Sequence, residues 1–260
     1  MNLDLSGKKA LVCGSTQGIG KSSAIELASL GASVILLAGN EADLKKISGE
    51  LKGIGSHDYL VADFSKPEEL RITINNYIKE KGPVHILVNN TGGPPGGPIT
   101  EAKTEEFTRA FANHLICNHI LAQAVLPGMK EEKYGRIVNI ISTSVKQPLK
   151  GLGVSNTIRA AVANWSKTLS NEVAQYGITV NNVLPGATAT GRLKSIIDSK
   201  AKKSGKSISE AESEMLKEIP AGRFADPSEI ANAVAFLASP AAAYITGINV
   251  PVDGGRTSSL

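Results

Sequence analysis

The chain has 260 residues, 42% of them hydrophobic and 20% charged, with a formal net charge of +4. This length is enough to bury a sizeable core, and the longest apolar runs, Val34 to Ala38 and Ile137 to Ile141, are too short to cross a bilayer. The lysines of Lys194 to Lys217 alternate with glutamates, so we expect no nucleic-acid groove. The N-terminal sequence lacks an apolar signal region, and Cys13 and Cys117 are the only cysteines, so the chain is expected in the cytoplasm.

Short β-branched segments alternate along the chain with amphipathic segments. Strand followed by helix, repeated, predicts right-handed crossovers and a parallel sheet covered by helices on both faces. In chain order the predicted elements are KALVC and a helix to Leu30, SVILLA and Glu41 to Leu51, HDYLVA and Pro67 to Glu80, VHILVN and Thr104 to Glu132, GRIVNII and about Ser155 to Tyr176, and GITVNNVL.

Two helix starts carry capping signals. Ser65 with Glu68 is predicted to form a capping box around Pro67, and Asp226 with Glu229 is predicted to form another. Both are structural devices to which we assign no functional role.

Two segments interrupt the alternation of strands and helices. Gly92 to Pro98, GGPPGGP, is a stiff loop after a predicted strand, and Gly191 to Ile219 is a long polar insertion after another. Open parallel sheets bind ligands at the carboxyl ends of their strands. We therefore expect these segments to wall a pocket, with a substrate lid at 190–220.

A glycine-rich turn follows the first predicted strand and runs directly into a helix. Its residues are Gly14-Ser-Thr-Gln-Gly18-Ile-Gly20. Glycine allows close approach to a pyrophosphate, and the helix N-terminus offers unpaired N–H groups. The context favours a dinucleotide site over a simple tight turn.

The chain resembles the short-chain dehydrogenase/reductases, including their 3-oxoacyl-acyl-carrier-protein reductase-like members, over essentially its whole length. The G-x-x-x-G-x-G spacing carries the resemblance together with Asn89-Asn90-Thr91-Gly92, Asp63-Phe64, Pro185-Gly186 with Thr188 and Thr190, and the close Tyr244-Ile-Thr-Gly247 followed by Val252-Asp-Gly-Gly255. The resemblance implies an α/β, doubly wound Rossmann fold: one domain, 1–260, with about seven mostly or wholly parallel strands.

The resemblance also implies a cofactor site. Its expected residues are Gly14, Ser15, Gln17, Gly18, Ile19, Gly20, Asn40, Asp63, Phe64, Asn90, Thr91, Gly92, Arg159, Pro185, Gly186, Thr188 and Thr190. The second strand ends at Ala38-Gly39 without the acid that would accept a bond from the NAD ribose, and without the arginine common among NADP users. Ser15, Gln17, Asn40 and Lys21 remain as partners for a 2′-phosphate, which favours NADP slightly over NAD.

The catalytic positions implied by the resemblance depart from the family pattern. The family serine falls on Ser142, but its tyrosine becomes Ser155, its lysine Arg159 and its asparagine His114. A serine hydroxyl is a far weaker acid than a phenol and too short to replace it. Arginine keeps the charge of lysine with a different geometry, and could bind a ribose hydroxyl or an anionic substrate group.

The source of the proton therefore stays open. His114 could donate it directly or through water, although a packing or hydrogen-bonding role within its helix is the favoured alternative. Lys146 and Lys150 are weaker candidates, since loop lysines are usually solvated. His114 and Cys117 lie one turn apart without further ligands nearby, so no metal site is expected.

Three functions are compatible with these residues. The first is an NAD(P)-dependent oxidoreductase acting on a small carbonyl or alcohol, resembling 3-oxoacyl-thioester reductases. The second is a sensor or scaffold that binds the dinucleotide without turnover, because the family tyrosine and lysine are Ser155 and Arg159. The third is a structural subunit among catalytic relatives. The first is favoured, and the resemblance implies a homodimer or homotetramer.

Overall fold

The computed structural model describes residues 1–259 as one α/β unit around a seven-stranded sheet. The strands are β1 (Lys9–Cys13), β2 (Ser33–Ala38), β3 (Asp58–Val61), β4 (Ile86–Asn89), β5 (Gly135–Ile140), β6 (Ile178–Pro185) and β7 (Asn249–Val252). Their order is β3-β2-β1-β4-β5-β6-β7, and every neighbouring pair is parallel. The prediction of a doubly wound, mostly or wholly parallel sheet of about seven strands is confirmed, and the sheet is wholly parallel.

Helices cover both faces of this sheet. They are α1 (Gly18–Ser29), α2 (Glu41–Glu50), α3 (Pro67–Lys81), α4 (Thr104–Phe111), α5 (Cys117–Glu131), α6 (Gly153–Val173), α7 (Gly191–Ser204), α8 (Ile208–Lys217) and α9 (Pro227–Ala238). One apolar core joins the sheet to α1, α2 and α9, and a second joins its other face to α3, α5 and α6. Because both faces are covered, the central strands are buried along almost their whole length rather than alternating between buried and exposed residues.

The strand order reverses between β1 and β4, which are hydrogen-bonded neighbours. At such a switch point the loops after two strands diverge and leave a crevice at the carboxyl edge of the sheet. Gly14 follows β1 and Asn90 follows β4 at this edge. The topology thus places the glycine turn and the Asn-Asn-Thr-Gly segment beside each other.

Asn89, Asn139, Asn182 and Asn249 bridge four successive strands. The amide of Asn89 donates to Asn139 (2.8 Å), Asn139 donates to Asn182 (3.0 Å), and Asn182 donates to Asn249 (2.8 Å). Buried amides are stable only when their hydrogen bonds are satisfied by partners of fixed position. This row therefore fixes the register of β4 to β7 below the carboxyl edge.

Three predicted details are corrected. The predicted helix over Thr104 to Glu132 is interrupted by a π-helical turn, Ala112–Ile116. The capping box predicted at Ser65 is wrong, because α3 starts one residue later, with Lys66 at its N-cap and no side-chain bond there. The capping box at Asp226 is present. The insertion at 191–219, which was predicted to interrupt the alternation of strands and helices, contains two helices: α7 and α8 pack on each other through Leu193, Ile197 and Met215.

Candidate active site

The glycine turn has the form of a phosphate cradle. Gly14 and Gly18 have positive φ angles of 56° and 53°, which favour glycine. A Cβ on Gly20 would lie 2.1 Å from the carbonyl oxygen of Gly14, so only glycine allows this approach of helix to turn. Gln17, the N-cap of α1, makes no side-chain capping bond, and the first turn holds no acid. The amides of this helix start suit a diphosphate.

Asn90 joins the glycine turn to the end of β4. Its side-chain amide donates to the carbonyl oxygens of Cys13 and Gly14, both at 3.3 Å. Thr91 and Gly92 follow at the same edge, partly buried and exposed respectively. The structure thus brings together the residues predicted from these two motifs.

The end of β2 lies beside a shallow concavity lined by Gly39, Asn40, Glu41, Ala42 and Lys45. Asn40 caps α2 by accepting a bond from Asp43 (3.2 Å). Of the other expected partners, Ser15 is fully buried and accepts from the amide of Leu37 (3.1 Å), and Lys21 pairs with Glu50 (3.1 Å). Gln17 is exposed. Sequence reasoning missed Lys45 and Glu41, whose spacing on a helix carries no recognisable motif.

Asp63 and Phe64 follow β3, the strand that neighbours β2 in the sheet. The Asp63 carboxylate is exposed and accepts from the amide of Ser65 (2.8 Å), and hydrogen bonds from Ser65 lower its pKa. Phe64 is partly buried, and its carbonyl oxygen accepts from the thiol of Cys117 (3.3 Å). Asp63 therefore forms a turn and still exposes an ionised carboxylate to solvent.

The segment after β6 connects the sheet to α7. A Cβ on Gly186, which follows Pro185, would lie 2.7 Å from Asp253, so the chain at Gly186 passes close to the segment that follows β7. The Thr188 hydroxyl donates to the carbonyl of Gly186 (3.1 Å), and Thr190 caps α7 by accepting from Leu193 (3.4 Å). A Cβ on Gly18 would lie 3.1 Å from Thr190. The start of the predicted lid therefore borders the glycine turn.

The predicted catalytic residues Ser142, Ser155 and Arg159 lie where β5 ends and α6 begins. The Ser142 oxygen accepts from the amide of Ser144 (3.1 Å), so its hydrogen stays free to donate elsewhere. Ser155 lies partly buried in the first turn of α6, and Arg159 follows one turn later. Arg159 is 8% exposed and donates from Nη1 to the carbonyl of Ile140 (2.9 Å).

His114 lies in the π-helical turn, and its side chain is buried. Its Nδ1 shares a hydrogen bond with the Thr91 hydroxyl, a partner outside its own helix. Burial, and next the charge of Arg159, lower the pKa of His114 to about 3. The imidazole is therefore neutral at pH 7, and the protonated form that would act as an acid is not populated there.

Arg192 is a site residue that sequence reasoning missed. It lies exposed in the first turn of α7 and donates from Nη2 to the carbonyl of Pro94, in the proline-rich loop. Burial, followed by the charge of Arg192, lowers the pKa of Arg159 to about 10. The only sequence signal was an arginine two residues after Thr190, which is too weak to identify a site.

No group of three or more potential metal ligands occurs within residues 1–259. In the same part of the chain, no helix is both long and apolar enough to cross a membrane.

Comparison with known proteins agrees with this geometry. Residues 14–257 match a family model described as enoyl-(acyl carrier protein) reductase. Over 255 residues the chain is 38% identical to 3-oxoacyl-[acyl-carrier-protein] reductase FabG of Vibrio cholerae serotype O1, covering 97% of this chain and 98% of FabG.

Two solved structures have the same fold. L-Sorbose reductase from Gluconobacter frateurii, in complex with NADPH and L-sorbose, is 31% identical with a TM-score of 0.93 over 100% of both chains. A short chain dehydrogenase/reductase family protein is 29% identical with a TM-score of 0.83, covering 97% of this chain and 99% of that one. The chain therefore belongs to the short-chain dehydrogenase/reductase family.

Proposed function

We propose that this protein is an NADP-preferring oxidoreductase that interconverts a small carbonyl compound and its alcohol, with a catalytic centre that lacks the family tyrosine and lysine. The observation that carries the proposal is the meeting, at one edge of the sheet, of an uncapped glycine-rich helix start with Ser142 and the guanidinium of Arg159. The likeness to FabG supports 3-oxoacyl thioesters as the first substrates to assay. We further propose that it acts as a cytoplasmic homodimer or homotetramer.

The glycine turn and its neighbours would hold the cofactor. The amides at the start of α1 suit its diphosphate, the exposed Asp63 carboxylate can accept from the adenine amino group, and Asn40 with Lys45 would contact the 2′-phosphate. Thr91, Gly92, Pro185, Gly186, Thr188 and Thr190 would border its nicotinamide end. When bound, the nicotinamide supplies or accepts the hydride.

The side chains of this centre would stabilise negative charge on the substrate oxygen. Ser142 can donate its hydroxyl hydrogen to that oxygen, because its own oxygen already accepts from Ser144. The positive charge of Arg159 acts from a buried position, where an electrostatic interaction is stronger than in water. In the reductive direction, this pair would favour the developing alkoxide without transferring a proton to it.

Water is therefore the proton source that we propose for the reduction. The neutral state of His114 at pH 7 argues against its acting as the acid, and the aliphatic hydroxyl of Ser155 is a weak acid by itself. Ser155 can instead hold a water molecule by donating or accepting a hydrogen bond. His114 would act as a positioning residue by fixing Thr91 at the edge of the site.

The proposal is tested by following NADPH and NADH oxidation with a panel of 3-oxoacyl thioesters, oxo acids, ketoses and small ketones. We expect at least one substrate to be turned over faster with NADPH, with kcat reduced at least tenfold in Ser142→Ala. Equal turnover by Ser142→Ala would contradict the role of this residue. Turnover with NADH alone would contradict the cofactor preference.

A binding module remains the second candidate, and the neutral state of His114, together with Ser155 and Arg159 at the positions of the family tyrosine and lysine, supports it. Such a protein would bind NADPH in a fluorescence titration but turn over no compound of the panel in either direction. One efficiently reduced substrate eliminates this candidate.

A further inference from the structure

Arg192 joins the two segments that were predicted to wall the pocket. It lies at the start of α7, and its guanidinium donates to Pro94 in the loop after β4. A Cβ on Gly93 would lie 3.4 Å from its Nε and 3.5 Å from its Nη2, which places the guanidinium fork against this loop. The residue is nevertheless exposed, so part of its fork is open to a ligand.

Arg159 presents a second positive charge at the same edge. The two guanidinium groups are near enough for the charge of Arg192 to lower the pKa of Arg159. Within residues 1–259, neither arginine has a carboxylate partner among the ion pairs. Two like charges thus lie near each other at this edge, and neither forms an ion pair with the described part of the chain.

A buried arginine elsewhere in the chain shows how an unpaired guanidinium is normally stabilised. Arg136 donates to the carbonyl oxygens of Gly135, Gly177 and Ser239. Arg159 makes one such bond, to Ile140, although it is also buried. A buried charge with unused donors is costly unless a ligand supplies the missing partner. The planar fork of arginine matches a carboxylate in particular.

We propose that Arg192 and Arg159 together receive a carboxylate of the substrate, so that this protein acts on oxo or hydroxy acids in preference to neutral carbonyl compounds. The inference rests on the proposed function and specifies its substrate class. Ile140, which Arg159 contacts, lies two residues before Ser142, the residue proposed to bind the reacting oxygen. The carboxylate would therefore bind beside the carbonyl that is reduced.

The cofactor diphosphate is the other anion that this pair could neutralise, since Thr190 lies against Gly18 of the glycine turn. That turn supplies its own amides at the start of α1, whereas the donors of Arg159 lie at the end of β5. We therefore assign the pair to the substrate. Affinities for dicarboxylates on one side, and for NADPH and ADP on the other, distinguish a substrate carboxylate from the cofactor diphosphate.

The test uses the full chain saturated with NADP⁺ and titrated calorimetrically with malonate or succinate, and with the neutral malonamide or succinamide. We expect the dicarboxylates to bind at least tenfold more tightly than the diamides. Arg192→Gln should reduce dicarboxylate affinity at least tenfold, and Arg159→Lys should reduce it less because the charge remains. Arg71→Gln is the matched control, because Arg71 is a partly exposed arginine on α3, and it should leave dicarboxylate affinity unchanged.

NADPH and ADP affinities of the same variants are measured by fluorescence and by calorimetry. If Arg192→Gln weakens NADPH and ADP but leaves malonate unchanged, the pair serves the cofactor, and the carboxylate proposal is overturned while the proposed function stands. Equal affinity for dicarboxylates and diamides also overturns the carboxylate proposal alone. A chain that binds no NADP(H) overturns the proposed function and this inference with it.

Discussion

The Thr91 hydroxyl and His114 Nδ1 form a hydrogen bond between the loop after β4 and the π-helical turn before α5. π-Helical turns inside longer helices frequently mark functional sites, because the extra residue redirects a side chain. Here the turn carries a histidine that is 2% exposed at the carboxyl edge of the sheet. Its neutral ring can orient Thr91 without competing for protons at pH 7.

The burial of His114 predicts an acid-sensitive contribution to stability. Between pH 6.5 and about 3, the unfolded chain binds a proton at this residue while the folded chain does not. The free energy of unfolding therefore falls as the pH decreases through this range, by at most about 1.4 kcal/mol per pH unit from His114. His114→Asn should show a shallower pH dependence in urea unfolding between pH 4 and 6.5.

His119→Asn is the control for this measurement, because His119 is exposed on the following helix. The free energy of unfolding of His119→Asn should change with pH as it does in the unsubstituted chain. Identical slopes for His114→Asn and the unsubstituted chain would show that His114 is solvated and protonates normally, and His114 would then again be a candidate proton donor.

Adding a single methyl group at Gly20 is expected to reduce both the stability of the chain and its affinity for NADPH. In Gly20→Ala the new Cβ would lie 2.1 Å from the Gly14 carbonyl oxygen, so the turn or the start of α1 must move. We expect a loss of about 1–3 kcal/mol in unfolding free energy, as for other overpacked sites, and a loss of NADPH affinity of at least tenfold. Urea unfolding and a fluorescence titration measure these two quantities.

Gly49→Ala is the matched substitution, since nothing lies within 4 Å of a Cβ at Gly49 in α2. Replacing a helical glycine by alanine should stabilise the chain by about 0.5–1 kcal/mol and leave NADPH affinity unchanged. Normal NADPH binding by Gly20→Ala would rule out the close contact of helix and turn as a requirement of the site.

Lys45 is expected to favour binding of NADPH over NADH. It is exposed on α2 and lines the concavity at the end of β2 together with Asn40. An exposed charge contributes about 1 kcal/mol or less to binding, so Lys45→Gln should weaken NADPH roughly threefold to fivefold and leave NADH unchanged. Fluorescence titration at low and high salt measures the effect, which should shrink at high salt.

Lys46→Gln removes the same charge from the next position of α2, which does not line the concavity. It should not change the ratio of NADPH to NADH affinity. An equal loss of NADPH affinity in Lys45→Gln and Lys46→Gln would indicate a general effect of the positive charge of α2. Equal losses of NADPH and NADH affinity in Lys45→Gln would show that Lys45 does not recognise the 2′-phosphate.

The sequence predicted the sheet well because its signals are local. The SVILLA run coincides with β2 at both ends, since β-branched and apolar residues favour a buried parallel strand. The π-helical turn at Ala112–Ile116 was missed because one inserted residue leaves the composition of the long helix unchanged and only shifts the phase of its periodicity. The error at Ser65 is a shift of one residue, which capping patterns do not resolve.

The candidate site was only partly predictable for a different reason. Motif spacing located Ser142 and Arg159, which lie at the same edge of the sheet as Asn90. Spacing contains no information about desolvation, so the neutral state of His114 could not be anticipated. The position of Arg192 depends on how α7 packs back on the proline-rich loop, a contact 98 residues apart in the chain.

The different partners of two buried arginines predict opposite effects of the same substitution. Arg159 makes one hydrogen bond to a carbonyl and lies near a like charge, so Arg159→Met removes an uncompensated buried charge. We expect Arg159→Met to raise the free energy of unfolding by about 1 kcal/mol or more, while kcat falls at least a hundredfold with the lost stabilisation of the alkoxide. Arg136→Met leaves three carbonyl acceptors without their donor and should destabilise the chain by about 2–4 kcal/mol. Urea unfolding compares the two variants at pH 7, and steady-state NADPH oxidation measures kcat. Destabilisation of Arg159→Met as large as that of Arg136→Met would mean that Arg159 is a structural residue whose charge is already compensated, and would remove the basis for its role at the substrate oxygen.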